Sequence, residues 1–141
     1  MTQSSTALLV DQLKQGGFKV TKSRLAVLRV LAATKQPLSV QTIIKRLSGS
    51  DADQATVYRM LTALTEANIL RRIDFEHGHA HYELFDDQDH HHVVCTNCHR
   101  IEDVRDCNVS SMADQILKQS KFAEINRHSL EFFGLCQECK R

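Results

Sequence analysis

The 141 residues predict an α+β chain in two parts, a helical first part followed by a small α/β part, on three observations. Apolar residues recur at helical spacing up to about residue 66 and at strand spacing beyond it. Charge divides in nearly the same place: residues 1–72 carry 11 basic and 4 acidic side chains, and residues 73–141 carry 7 and 13. All eight histidines and all five cysteines fall in the second half. A basic half suits a polyanion, whereas an acidic half crowded with His and Cys suits metal.

Composition sets the outer bounds. At roughly 100–200 residues per domain, the length allows one ordinary domain or two small ones and excludes a large multidomain enzyme. Hydrophobic residues make up 42% and charged ones 25%, a globular balance. No apolar run approaches the roughly 18 residues of a membrane span. The N-terminus, with Asp11 and Lys14 soon after a short apolar stretch, does not read as a cleavable signal, so a soluble cytoplasmic protein is expected.

In chain order, Leu8, Leu9 and Leu13 mark a first helix, stopped by Gly16-Gly17 because glycine accepts the left-handed conformation of a helix end. Thr21 caps a second, with Leu25, Val27, Leu28 and Leu31 as its apolar stripe. Ser39 caps a third, which places Val40, Ile43, Ile44 and Leu47 on one face and ends at residues 48–51. A fourth runs from about Asp53 to Glu66, with Ala55, Val57, Leu61 and Leu64 turned inward.

Two helices joined by a short glycine-containing turn form a helix-turn-helix, whose second helix can enter a DNA major groove. The following segment strengthens that reading, since residues 69–73 and 79–85 flank a Glu76-His77-Gly78 turn and make a hairpin, or wing. In such a winged helix the fourth helix reads the groove, and Thr56, Tyr58 and Arg59 face the nucleic acid. Tyr58 also fits an ordinary core position, but Arg59 beside it is hard to bury unpaired.

Residues 86–89, Asp-Asp-Gln-Asp, are polar and aperiodic and serve as the linker. The expected layout is a DNA-binding domain over 1–85, a hinge over 86–90 and a dimerisation and metal-binding domain over 91–141. Within the last, 91–95 and 101–104 read as strands, 109–121 as an amphipathic helix and 124–133 as a final strand. About fifty residues make so small a core that a metal, disulfides or a partner subunit is usually needed.

Cys95-Thr-Asn-Cys98 and Cys136-Gln-Glu-Cys139 are two C-x-x-C knuckles, 37 residues apart, and four thiolates suit a closed, structural, tetrahedral zinc site. Disulfides are the competing reading, disfavoured in a cytoplasmic chain. Cys107 is left over as a plain thiol. Strand alternation turns His79, His81 and Glu83 one way, and His90 and His92 likewise share a face. With Asp103 on the strand after the first knuckle, these imidazoles and carboxylates form a borderline donor set that accepts zinc, iron(II), manganese, nickel or cobalt. If ligands come from both sides of the linker, a bound ion fixes the angle between domains. A cluster of solvated surface histidines is the alternative.

Together these residues resemble the ferric uptake regulator family of bacterial metal-sensing transcription factors, over nearly the whole chain. The resemblance rests on Gly17-Phe-Lys-Val-Thr-Lys-Ser-Arg24, Ala55-Thr-Val-Tyr-Arg59, Tyr82-Glu83-Leu84, the run from His90 to Cys98, and Cys136-Gln-Glu-Cys139. It implies a homodimer of winged-helix and dimerisation domains that binds a palindromic, AT-rich operator and represses when the regulatory metal is bound. By the same resemblance Tyr58 and Arg59 contact the groove or backbone, and Lys19 and Arg24 lie near phosphates.

Carried over by residue, the family's regulatory site corresponds to Glu83, His90 and His92, with Asp103 nearby. The family's histidine before the third helix is missing, its place reading Gln36-Pro37-Leu38; His81 or His79, with His81 preferred, replaces it. An additional family site implies Asp89, His91 and His128, although the carboxylate expected on the following helix falls near Ser110. The extra histidine tilts the sensed metal toward zinc, with iron next; peroxide- and nickel-responsive regulators remain alternatives. A rival of another class, a zinc-dependent hydrolase with Glu83 as general base, lacks an H-E-x-x-H spacing and a scaffold for a substrate cleft.

Overall fold

A computed structural model describes residues 4–34, 36–47, 53–75, 78–85, 90–105, 108–126 and 128–141. The chain divides into two compact units, Met1–Asp86 and Asp87–Arg141.

The first unit contains α1 (Ser4–Gln15), α2 (Lys22–Ala32), β1 (Leu38–Ser39), α3 (Val40–Arg46), α4 (Gln54–Glu66), β2 (Leu70–Asp74) and β3 (Ala80–Leu84). Gly17, at φ 82°, ends α1: Phe18 N–H donates to the Leu13 carbonyl and Gly17 N–H to that of Lys14, a Schellman closure. Side-chain oxygens of Thr21, Ser39 and Asp53 cap α2, α3 and α4 by accepting the backbone N–H three residues on. Asn68, at φ 58°, closes α4 as Gly17 closes α1, with Ile69 N–H bonded to the Leu64 carbonyl. The Ser39 cap is also the end of β1, a two-residue strand not expected from the sequence.

The core of this unit joins Leu9 and Leu13 of α1, Val27, Leu28 and Leu31 of α2, Val40 and Ile43 of α3, and Val57, Met60, Leu61 and Leu64 of α4. One expectation is corrected here: Ala55 is exposed, and Met60 takes the inward position. At 3.6 residues per turn Ala55, two positions before Val57, falls on the opposite side of α4 from Val57, Met60, Leu61 and Leu64.

β3 is the central strand of a sheet ordered β1-β3-β2, antiparallel throughout. Leu70 pairs with Leu84 and Arg72 with Tyr82, and this face packs on the helical core. Alternation then puts Arg71, Ile73, His81 and Glu83 together on the opposite face, where Arg71 is registered with Glu83 and Ile73 with His81.

The second unit contains β4 (His91–Cys95), β5 (Ile101–Val104), α5 (Val109–Gln119), β6 (Glu131–Gly134) and α6 (Gln137–Lys140). Its sheet runs β5-β4-β6, with β4 antiparallel to β5 and parallel to β6. The final strand is shorter than expected, starting at Glu131 rather than at Glu124, because β4 offers only His92 to Cys95 as pairing partners. α5 likewise stops at Gln119, where Ser120 turns extended. The buried apolar residues of this unit are only Val94, Cys95 and Ile101 among those described, and α5 buries none.

Candidate metal centre and nucleic-acid face

The four cysteines come from β4, the turn after it, the segment after β6 and α6. Parallel pairing of Cys95 with Gly134 carries the chain directly from β6 to the second knuckle. The four sulfurs lie within 4.8 Å of one another, and Cys98 Sγ is 3.8 Å from Cys136 Sγ. A tetrahedral zinc with Zn–S bonds of about 2.3 Å requires S···S edges of about 3.8 Å, so the spacing fits that ion.

The thiols are unequal. The amide of Cys136, bonded to Cys95 Sγ at 3.4 Å, and then that of Cys98 pull the Cys95 thiol down to about 5. At Cys139 the Asn97 Nδ2 donor, 3.2 Å away, favours the thiolate, but hydrogen bonding with Cys136, desolvation and hydrogen bonding with Cys98 and Cys95 prevail and push it up to about 11. One thiolate thus forms readily and the last resists, as expected of four sulfurs that need a cation to ionise together. His99, at φ 62°, makes the left-handed turn after Cys98, and the Arg100–Glu138 ion pair at 3.0 Å links the two knuckles.

Three consecutive histidines at the start of β4 are buried: His90, just before the strand, and His91 and His92 within it are 6%, 4% and 2% exposed. Protein interiors do not hold unsatisfied imidazoles cheaply. The rings of His90 and His92 meet edge-on with centroids 5.0 Å apart. Register sets His92 opposite Asp103, and His92 Nε2 is 3.5 Å from Asp103 Oδ1, a buried oxygen that accepts no hydrogen bond. These three side chains offer two imidazoles and a carboxylate on one side of the sheet, a donor set that suits a borderline divalent cation.

His91 turns the other way. Its Nδ1 lies 3.1 Å from the Leu130 carbonyl, which can only accept, so Nδ1 carries a proton and donates it there. Nε2 is buried without a hydrogen-bond partner, and the His128 ring stands 5.2 Å away. Asp89, the third residue of that expected set, lies outside the described residues, as does Cys107.

In the first unit Glu83 is 9% exposed at the end of β3, with Arg71 Nη1 3.9 Å from its Oε1. His81 packs edge-on against Phe75, with its Nδ1 3.2 Å from the His79 carbonyl. Because β1 pairs Ser39 with His81, the stretch that reads Gln36-Pro37-Leu38 runs beside β3.

On α4, Tyr58 and Arg59 are exposed, and Arg59 Nη2 reaches the Thr56 hydroxyl at 3.3 Å. Lys19 is exposed too. Arg24 is differently engaged: its Nη1 donates to the Lys19 carbonyl at 2.9 Å, and its guanidinium lies over the Phe18 ring. That arginine braces the 17–21 loop, a role its spacing in sequence did not signal.

Comparison with known proteins follows the same lines. The ferric uptake regulator family model matches residues 15–133. A ferric uptake regulation protein of Legionella pneumophila is 36% identical over 133 residues, 92% of this chain and 97% of that protein. The crystal structure of the Vibrio cholerae ferric uptake regulator superposes with a TM-score of 0.78 at 32% identity, covering 90% of this chain and 98% of that one. The Helicobacter pylori ferric uptake regulator, described as having three functional metal binding sites, superposes at 0.80 and 25% identity over 100% of this chain and 95% of that one. Matched through both of its units, by sequence and by fold, this chain belongs to the ferric uptake regulator family.

Proposed function

We propose that the protein is a cytoplasmic, metal-gated transcriptional repressor that binds operator DNA as a homodimer. The observation that carries this reading is that two buried ligand atoms on opposite sides of the β4 sheet, His91 Nε2 and Asp103 Oδ1, take no hydrogen bond, the second having only His92 Nε2 at 3.5 Å, in a unit with very little apolar core. Buried polar atoms that take no hydrogen bond are destabilising, and a divalent cation at each site is a partner that suits both imidazole and carboxylate.

Three metal sites follow. Cys95, Cys98, Cys136 and Cys139 hold structural zinc. Glu83, His90 and His92, with Asp103 and with His81 in place of the missing family histidine, hold the regulatory ion; His79 is the weaker substitute. His91, His128 and Asp89 form the additional site. The count agrees with the three functional metal sites of the Helicobacter pylori protein. Zinc is the preferred regulatory ion and iron(II) the next, with manganese, nickel and peroxide-linked sensing as narrower alternatives.

The regulatory ligands come from β3 and from the start of β4, on either side of the 86–89 linker. A cation that binds both sets constrains the two units, and it can shift the equilibrium only by binding the operator-competent pose more tightly. Tyr58, Arg59 and Thr56 on α4 then read base edges of an AT-rich palindrome, while Lys19 and Arg24 stand by the phosphates. The apolar stripe of α5, with Met112 and Ile116 exposed in a single chain, favours a second copy as its cover. Family membership favours regulation over the hydrolase alternative.

The deciding experiment is operator binding by protein that retains its four-cysteine zinc, titrated separately with zinc, iron(II), manganese and nickel. One of these ions is expected to tighten binding severalfold or more. DNA binding equally strong with a chelator present would overturn the reading.

A further inference from the structure

We propose that Arg71 is a resident cation at Glu83 that weakens metal binding there and so sets the metal concentration at which the regulator responds. The inference rests on the reading of Glu83 as a regulatory ligand. It comes from the β2–β3 hairpin alone.

Register places Arg71 directly across from Glu83 on the sheet face that turns away from the helical core. The guanidinium reaches to 3.9 Å from Glu83 Oε1. That distance is too long for a hydrogen bond, for which N···O of about 2.7–3.2 Å is needed, so Arg71 does not occupy the lone pairs of that oxygen. Its effect is Coulombic. The side chains are 31% and 11% exposed, so the attraction is only partly screened by solvent.

Arg71 is also held in place. Its guanidinium lies over the Phe85 ring, 5.5 Å from the centroid, and arginine does not lose its charge at any physiological pH. Both anchors, the ring and the opposite carboxylate, belong to the hairpin and its immediate continuation. Two consequences follow. Without metal, the arginine offsets much of the cost of keeping a buried carboxylate charged. When a dication arrives at Glu83, the same fixed positive charge opposes it, and part of the intrinsic affinity of the ligand set is lost.

The test compares metal affinity among hairpin variants of the zinc-retaining protein, with manganese(II) and zinc(II) as separate probes, by competition against a fluorescent chelator. Glu83→Gln first identifies which binding step belongs to Glu83. In Arg71→Met, which keeps apolar contact with Phe85, that step is expected to tighten on the order of tenfold. Arg71→Gln gives the same reading should the methionine variant fail to fold, as judged by melting and by zinc content. Arg71→Lys, which keeps the charge, is expected to stay near the parent, and the gap between parent and Arg71→Met is expected to narrow as salt is raised.

If Glu83→Gln removes a step whose affinity Arg71→Met and Arg71→Gln leave unchanged or weaken, this inference alone falls. A lysine variant as tight as the methionine variant would overturn it too, since shape rather than charge would then be responsible. If Glu83→Gln removes no step, Glu83 is not a ligand and the proposed regulatory set falls together with the inference.

Discussion

The histidine triplet shows how much depends on single atoms. His90, His91 and His92 are consecutive, yet alternation along β4 sends His91 toward His128 and leaves His92 facing Asp103. One carbonyl, that of Leu130, engages Nδ1 of His91 and so leaves Nε2 as its other ring nitrogen, the one read above as a metal ligand. The cysteines depend on one another in a different way, because hydrogen bonding with Cys136, Cys98 and Cys95, together with desolvation, raises the Cys139 thiol. Cys98→Ser is therefore expected to release zinc and convert the dimer to monomer; metal analysis with light scattering reads both, and a stable zinc-free dimer would contradict it. Arg59, exposed and held near Thr56, is a base or phosphate contact in the proposed complex. Its replacement by alanine should weaken operator binding by about tenfold, within the roughly 1–3 kcal/mol of a good base contact, without lowering the melting temperature. Unchanged gel-shift affinity would count against α4 as the reading helix.

Among the elements, α4 and α5 make opposite demands on their surroundings. α4 buries Val57, Met60, Leu61 and Leu64 and leaves a polar face outward, so its place is secured within its own unit. Its N-terminus depends on Asp53, whose carboxyl is held below the ordinary 3.8 first by the Thr56 amide and then by the Thr56 hydroxyl. A lowered acid favours the fold above its unfolded value and ceases to do so as pH falls through the folded one. Stability measured by urea titration should thus drop on acidification through and below 3.8, and Asp53→Asn should flatten that drop. An identical pH profile in the variant would remove Asp53 from the account. α5, by contrast, buries no residue in one chain. Ile116→Glu is expected to prevent dimerisation while the four-cysteine zinc stays bound, and a dimer of parental strength in analytical ultracentrifugation would exclude α5 from the interface.

For the whole molecule, the asymmetry between a basic first half and an acidic second half rich in His and Cys predicts a salt-dependent and chelator-dependent complex with DNA. Affinity is expected to fall steeply with salt as displaced counterions return to the duplex. Removing the regulatory ion should weaken the complex further at any fixed salt. A complex insensitive to both salt and chelator would leave the two halves without a shared task.

Helix ends, caps and the wing were legible along the chain because each depends on residues a few positions apart: Thr21, Ser39 and Asp53 for starts, Gly17 for a stop, alternation for β3. The two knuckles were legible for the same reason, since C-x-x-C spacing is local chemistry. What the residues alone did not reveal depends on pairing across long intervals. β1 exists only because β3 lies beside it, β6 is short because β4 offers few partners, and Arg24 turned out to brace a loop. The residue types available to the proposed sites were thus determined by sequence. Which nitrogen of His91 meets a carbonyl, why the Cys95 thiol is lowered and the Cys139 thiol raised, and which arginine stands by Glu83 were decided by tertiary structure, because each is set by the distance between groups that the chain brings together only on folding.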